Sequence, residues 1–196
     1  MSQWHVPVPA PGIVIRRAEL EDAETVLKSV WELSNASATA ARWSRAAFYP
    51  YLAKEAASGG LLAKAMFLAC GNTSKPATTT TYDANRIAKA DNIVGFAAYS
   101  AIMTVDAGES TLENMAVANS WQRQGIGRRL LSAGLLWCRA HASETVFLEV
   151  RESSLAAIAL YERAGFSSAG NRPGYYREPA EDGIQMRKSL RLMDRV

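Results

Sequence analysis

The segment Gln122-Arg123-Gln124-Gly125-Ile126-Gly127-Arg128-Arg129 carries the first chemical signal of this chain. It comes after an apolar run that ends at Val117 and opens a stretch with helical spacing. The first N–H groups of a helix lack internal partners and point outward, and the helix dipole adds partial positive charge there. Glycines let a phosphate approach closely, so the segment has the makings of a pyrophosphate cradle. Arg123, Arg128 and Arg129 add charge of the matching sign. Two common phosphate motifs do not fit. A P-loop ends in Gly-Lys-Ser/Thr, whereas Gly127 is followed by two arginines; a dinucleotide fingerprint needs a third glycine, where Leu130 stands. On spacing alone, a tight loop without a ligand stays open beside the phosphate reading.

The elements that must position this loop can be read from periodicity. Residues 13–16 read as a short strand. Residues 20–33 place Ala23, Val26, Leu27, Val30 and Trp31 at helical spacing. Ser44 is a candidate N-cap for a second helix, with Trp43 and Phe48 at the two positions of a hydrophobic staple and Pro50 shortening that helix. Residues 64–70, 93–103, 111–117 and 145–150 read as strands. Residues 125–142 and 155–164 read as helices, the second ended by Gly165 as the residue past its cap. Phe166 onward is extended, and the alternation of Ile184, Met186, Lys188 and Leu190 predicts a last strand. Residues 1–12, with Pro7, Pro9 and Pro11, form an irregular lead-in. Residues 71–92 are polar and Thr-rich, expected as a long hairpin insert. Residues 13–196 are then one α/β domain, a central sheet flanked by helices.

Composition agrees and excludes alternatives. The chain has 196 residues, 48% hydrophobic and 21% charged, with a net charge of +3. This is ordinary globular composition, too weakly basic to argue for nucleic acid. No apolar run reaches the roughly 18–20 residues that cross a bilayer. The start Met1-Ser2-Gln3-Trp4-His5 lacks the pattern of a signal peptide. Cys70 and Cys138 lie far apart without metal spacing, and only His5 and His141 are present, so no metal site is expected. Reduced thiols and a cytoplasmic location are the default expectation. Cys138 falls on the apolar side of its helix and reads as packing.

Gln122-Arg-Gln-Gly125-Ile-Gly127 resembles the Gln/Arg-x-x-Gly-x-Gly/Ala loop of the GNAT family of acyl-CoA-dependent N-acetyltransferases. The order strand, loop, long helix, strand, helix, strand also resembles that family. The resemblance implies a mixed, mostly antiparallel sheet in which the strands on either side of the long helix splay to admit acetyl-CoA. It implies cofactor contacts at Met115, Ala116 and Val117 and at Arg123, Gln124, Gly125, Ile126, Gly127 and Arg128.

Leu148-Glu149-Val150-Arg151-Glu152-Ser153, then Ala156 to Glu162, Gly165-Phe166 and Arg172-Pro173-Gly174-Tyr175-Tyr176, are similar to the bacterial ribosomal-protein alanine N-acetyltransferases within that family. This resemblance covers about 93–190 and, more faintly, 13–48. It implies Glu149 as general base and Tyr161 as general acid. It also implies a cofactor contact at Ser154, where relatives commonly carry the longer Asn. Glu113 is a second candidate base, because many acetyltransferases place a carboxylate on that strand. Tyr175 and Tyr176 either shape an acceptor groove or cover the sheet.

The implied chemistry is coherent. An α-amine titrates near 8 and is mostly protonated at neutral pH. A carboxylate, directly or through water, can take its proton. A tyrosine can supply one to the leaving thiolate where the site favours it. The acceptor implied is the N-terminal α-amine of a protein, an alanine of a small-subunit ribosomal protein. The rivals are a lysine, a polyamine or another small amine, and, in a different class, a non-catalytic acyl-CoA-binding regulatory module.

Overall fold

The computed structural model describes residues 12–37, 40–52, 62–71, 92–103 and 107–191. Most of the lead-in and of the Thr-rich insert lies outside the described residues. The elements run β1 (Ile13–Arg17), α1 (Ala23–Ala36), β2 (Leu62–Gly71), β3 (Ile93–Met103), β4 (Gly108–Val117), α2 (Ile126–Ala140), β5 (Ser143–Arg151), α3 (Leu155–Arg163), β6 (Ser167–Arg177) and β7 (Ala180–Ser189).

Among the described residues seven strands form one sheet in the order β1-β2-β3-β4-β5-β7-β6. β4 and β5 pair in parallel, joined by α2 as the crossover, while the other neighbours are antiparallel. This is the mixed, mostly antiparallel sheet the sequence led us to expect. β3 lies inside the sheet, between β2 and β4, and is buried from Ile93 to Ala101, on both faces. That is why its sequence is a continuous apolar run rather than an alternating one.

Two cores flank the sheet. On one face Val26 and Val30 of α1 pack with Phe48, Leu52, Met66, Leu68 and Phe96. On the other, Leu130, Leu131 and Cys138 of α2 pack with Tyr99, Val146, Leu148 and Met186. The Tyr99 ring lies so close over Gly134 that a Cβ there would sit 2.0 Å from the ring. A glycine inside an otherwise strong helix is explained by that approach.

One expected element differs. Residues Arg45–Tyr51 form a 3-10 helix rather than an α-helix, and the Ser44 side chain makes no capping bond. Pro50 has no N–H to donate and its ring crowds the carbonyl four residues earlier, so an α-helix cannot run through it. The staple is present: the Trp43 and Phe48 rings lie 5.0 Å apart, and Phe48 packs edge-on against Phe96. The end of α3 is as expected. Gly165 adopts a left-handed φ of 87°. Its N–H donates to the Glu162 carbonyl and that of Phe166 to the Tyr161 carbonyl. These are the two bonds of a Schellman cap, and the accompanying apolar contact is Tyr161 on Phe166, ring centroids 5.9 Å apart.

Candidate active site

The site begins where the sheet comes apart. β4 and β5 pair from Gly108↔Ser143 to Leu112↔Leu148 and no further. At that point β4 carries a bulge. Ala98 of β3 pairs with Asn114 and Tyr99 pairs with Leu112, leaving Glu113 as an extra residue. A bulge bends its strand and increases local twist, which turns β4 away from β5. From there to Val117, β4 keeps β3 on one side and an open edge on the other. The resulting cleft of about 990 Å³ is lined by Glu113–Val117, Glu149, Val150, Ser153, Ser154 and Tyr161, and by Trp43, Tyr175 and Tyr176 at one end.

The loop after β4 closes the other end. Ala118 N–H donates to the Val94 carbonyl at 2.8 Å, tying the loop to β3. Gln122 Nε2 donates to the Val117 carbonyl and to Asn119 Oδ1, both at 3.0 Å. Arg123 and Gly125 take left-handed φ values of 63° and 77°. Gly125 caps α2 without any side-chain bond, so the first N–H groups of the helix stay available to a ligand. Arg123, Gly125, Ile126, Gly127 and Arg128 line the cleft, and Gln124 does not. Gln124 Nε2 instead donates to the Ser120 carbonyl at 3.3 Å and braces the loop. Arg129 also turns away, its Nη2 donating to the Ile13 carbonyl of β1 at 3.0 Å. Its expected contribution of phosphate-facing charge is therefore not realised.

The two carboxylates reach the cleft from the α1 side of the sheet. Glu113 accepts a 2.6 Å hydrogen bond from Ser100 Oγ. Glu149 accepts from Gln185 Nε2 at 3.3 Å and pairs with Arg172 at 3.4 Å. Its charged partner is thus on β6. The Arg172 side chain is 47% exposed, against 17% for Glu149, so this pair is worth little to stability. Tyr161 approaches from the opposite face, on α3, with its ring fixed by the Schellman contact. The base candidates and the acid candidate therefore line one cleft from opposite faces of the sheet.

Burial pushes the Tyr161 phenol well above its ordinary value, with Tyr176 adding to the rise. Burial, then the neighbouring Tyr175, pushes Tyr176 up to about 12. Ser154 is buried, and its Oγ has no hydrogen-bond partner. A buried hydroxyl left unsatisfied inside a ligand-sized cleft fits a polar ligand that supplies the missing bond. Cys138 lies away from the cleft, its thiol pushed up to about 11 by burial, as befits packing.

The Trp43 end of the cleft contains residues the sequence did not single out. Asn114 Nδ2 donates to the Ala41 carbonyl at 2.9 Å, and Ser34 Oγ donates to the same carbonyl at 2.6 Å. Together they hold the segment from Ala40 to Trp43 over the cleft. The signal was weak: a lone Asn on an apolar strand marks a partner without naming it. Among the described residues no group of acidic, His or Cys side chains could hold a metal, and no helix is long and apolar enough to cross a membrane.

Comparison with known proteins adds to this geometry. The ribosomal protein bS18-alanine N-acetyltransferase of Escherichia coli K12 is 47% identical over 83 residues, 42% of this chain and 55% of that relative. The chain thus spans about half the length of the curated relatives it matches. The crystal structure of the Escherichia coli ribosomal-protein-S18-alanine N-acetyltransferase superposes with a TM-score of 0.61 at 28% identity, covering 94% of this chain and 99% of that one. Arabidopsis thaliana NAA60, solved in complex with acetyl-CoA, shares the fold with a TM-score of 0.66 at 15% identity, covering 91% and 98%. The sequence pattern described as the acetyltransferase (GNAT) family matches residues 52–166, more than half of the chain. That match spans the parted strands, the glycine loop and α3, and it establishes that this chain belongs to the GNAT acetyltransferase family.

Proposed function

We propose that the chain transfers an acetyl group from acetyl-CoA to the N-terminal α-amine of a protein, an alanine of a small-subunit ribosomal protein. The observation that carries this reading is the gap between β4 and β5, lined by carboxylates from one face and a tyrosine from the other. The likeness to the bS18-alanine N-acetyltransferase supports the choice of acceptor. A ribosomal acceptor puts the reaction in the cytoplasm.

Acetyl-CoA supplies the acetyl group as an activated thioester. The open edge of Met115, Ala116 and Val117 offers backbone N–H and C=O groups to its pantetheine amides, as one strand offers them to another. The backbone from Arg123 to Arg128 receives the pyrophosphate at the start of α2. Ser154 Oγ supplies one further hydrogen bond.

Glu149 receives the proton of the attacking amine, directly or through one water. The acceptor's ammonium takes over the position held by the Arg172 guanidinium, a release made easy by that pair's exposure. Glu113, held by Ser100, lies at the same end and adds negative charge that draws the ammonium in. Tyr161 keeps its proton at every physiological pH and presents it to the departing sulfur. Desolvation disfavours charge on the phenol and on a thiolate alike, so the two basicities rise together and the proton can pass. Placement of these groups across the gap contributes as much as their acidity.

Thiol release from acetyl-CoA tests the reading. The panel holds short peptides starting with alanine, the same peptides with blocked α-amines, a lysine-only peptide and polyamines. Turnover on alanine peptides that vanishes on blocking is the expected result. Turnover retained on blocked peptides or polyamines would move the acceptor to a lysine or small amine. Tight acetyl-CoA binding without turnover on any of them would favour a regulatory module.

A further inference from the structure

Behind the acceptor end lies a buried cation that the proposed chemistry does not use. Arg151, the last residue of β5, is 5% exposed. Its guanidinium donates to the Glu178 carbonyl at 2.9 Å, the Pro179 carbonyl at 3.1 Å and Glu181 Oε2 at 3.1 Å. All three lie at the turn between β6 and β7. Its flat face stacks on Tyr176, with Cζ 4.1 Å from the ring centroid. The other oxygen of Glu181 accepts the Ser153 N–H at 2.6 Å. The carboxyl of Glu181 is held below its ordinary value by these bonds, the Ser153 bonds first and Arg151 after them.

A planar fork that satisfies three acceptors in fixed directions leaves its guanidinium little freedom. An aromatic ring stacked on that plane is held by both dispersion and cation–π attraction. Tyr176 lies on the edge strand β6, whose pairing with β7 skips from Arg172↔Gly183 to Tyr176↔Glu181. The ladder resumes at Tyr176 and fixes its backbone beside Glu181, while the guanidinium stacked on the ring fixes the side chain.

We propose that Arg151 is a positioning residue for the acceptor, setting the Tyr176 ring as a wall of the cleft and tying it through Glu181 to the Ser153–Ser154 turn. This rests on the acyl-transfer reading and deepens it. Arg151 touches neither substrate; it acts through Tyr176. Lysine at this position keeps the charge but has neither the fork nor the plane.

Wild type, Arg151→Lys, Tyr176→Leu and the double variant are compared with an alanine-starting peptide at saturating acetyl-CoA. Arg151→Lys is expected to raise the acceptor KM about tenfold, with kcat within about threefold of wild type. Tyr176→Leu should do the same. The double variant should be no more than about twofold worse than the worse single one, because both changes remove one arrangement. Multiplying penalties, or an Arg151→Lys KM within about twofold of wild type, would overturn the proposal. Acetyl-CoA binding by calorimetry reports folding. If Arg151→Lys does not fold, Glu181→Gln replaces it in the cycle, since it keeps the volume and the Ser153 bond while removing the charge behind the guanidinium; the same non-additivity with Tyr176→Leu is expected, and its absence counts against the proposal. A second readout needs no turnover. In tyrosine-labelled protein, the Tyr176 ring resonance, assigned by its loss in Tyr176→Leu, should move in Arg151→Lys or Glu181→Gln; a resonance that stays in place overturns the proposal. Failure of wild type on every alanine peptide would sink the acceptor reading alone, and the Tyr176 resonance would then decide the role of Arg151.

Discussion

The wall formed by β4 and the Gly125–Gly127 loop presents backbone to the cleft, whereas the wall formed by Ala40–Trp43 and Tyr175–Tyr176 presents side chains held from a distance. The first is built from one contiguous stretch of chain. The open edge of β4, the left-handed turn at Gly125 and the start of α2 all fall between residues 113 and 128. The second depends on contacts across the whole molecule: Asn114 to Ala41, 73 residues apart, and Arg151 to Glu178, 27 apart. On the acyl-transfer reading proposed above, the first wall takes the acyl-CoA and the second takes the acceptor. Backbone suits the first task because a fixed ligand needs no variation. Side chains suit the second because their replacement retunes the groove without refolding the sheet.

The largest effect should come where the two walls meet. Glu149→Gln is expected to lower kcat by about 10²–10⁴ while leaving acetyl-CoA affinity within about threefold, as measured by thiol release and calorimetry. A matching loss of acetyl-CoA affinity would mean that the carboxylate belongs to the cofactor wall, and the comparison would fail. Tyr161→Phe should lower kcat by about 10–10². Because burial raises the phenol above its ordinary value, Tyr161 stays neutral up to at least about pH 10. Any alkaline limb below that pH should therefore persist in Tyr161→Phe, and a pH–rate profile in which it disappears would refute the assignment.

Gly125→Val tests the backbone wall alone. A β-branched residue at a φ of 77° costs roughly 1–3 kcal/mol, so the loop must relax and its N–H groups lose their aim. The acetyl-CoA KM should rise about tenfold with the acceptor KM unchanged. The smallest effect belongs to Asn114→Ala. It removes one of the two donors to the Ala41 carbonyl, a bond worth about 1 kcal/mol. The acceptor KM should rise about fivefold with acetyl-CoA binding unaffected. A reversed pattern in this pair of variants would dissolve the division between the walls.

The same division explains how much was legible in the sequence. Strand β3, helix α2 and the Gly165 cap are local patterns, and each was readable from neighbouring residues. So was the glycine loop, although its ligand was not: spacing excluded two phosphate motifs and only the resemblance favoured acyl-CoA. At Arg45–Tyr51 the staple and the disturbing Pro50 are legible, but the 3-10 form and the absence of a Ser44 capping bond are not. Charge near a loop says nothing of direction, and the Arg129 guanidinium reaches β1 instead. The roles of Asn114, Ser34 and Arg151 are not legible in the sequence, because their partners are set by the fold rather than by spacing. The bulge at Glu113 left no mark at all, since nothing in the run Leu112-Glu113-Asn114 announces an extra residue.

That bulge makes folding and function separable by one residue of chain length. Removing Glu113 would bring Leu112 and Asn114 into succession opposite Tyr99 and Ala98, their present partners. Every β3–β4 pair would survive, and each side chain would keep the face it now occupies. The bend would vanish, and with it the reason for β4 to leave β5. The parallel ladder could then run on past Leu112↔Leu148, zipping shut the opening through which the two faces of the sheet communicate. The shortened chain would be a better-paired sheet and a closed door.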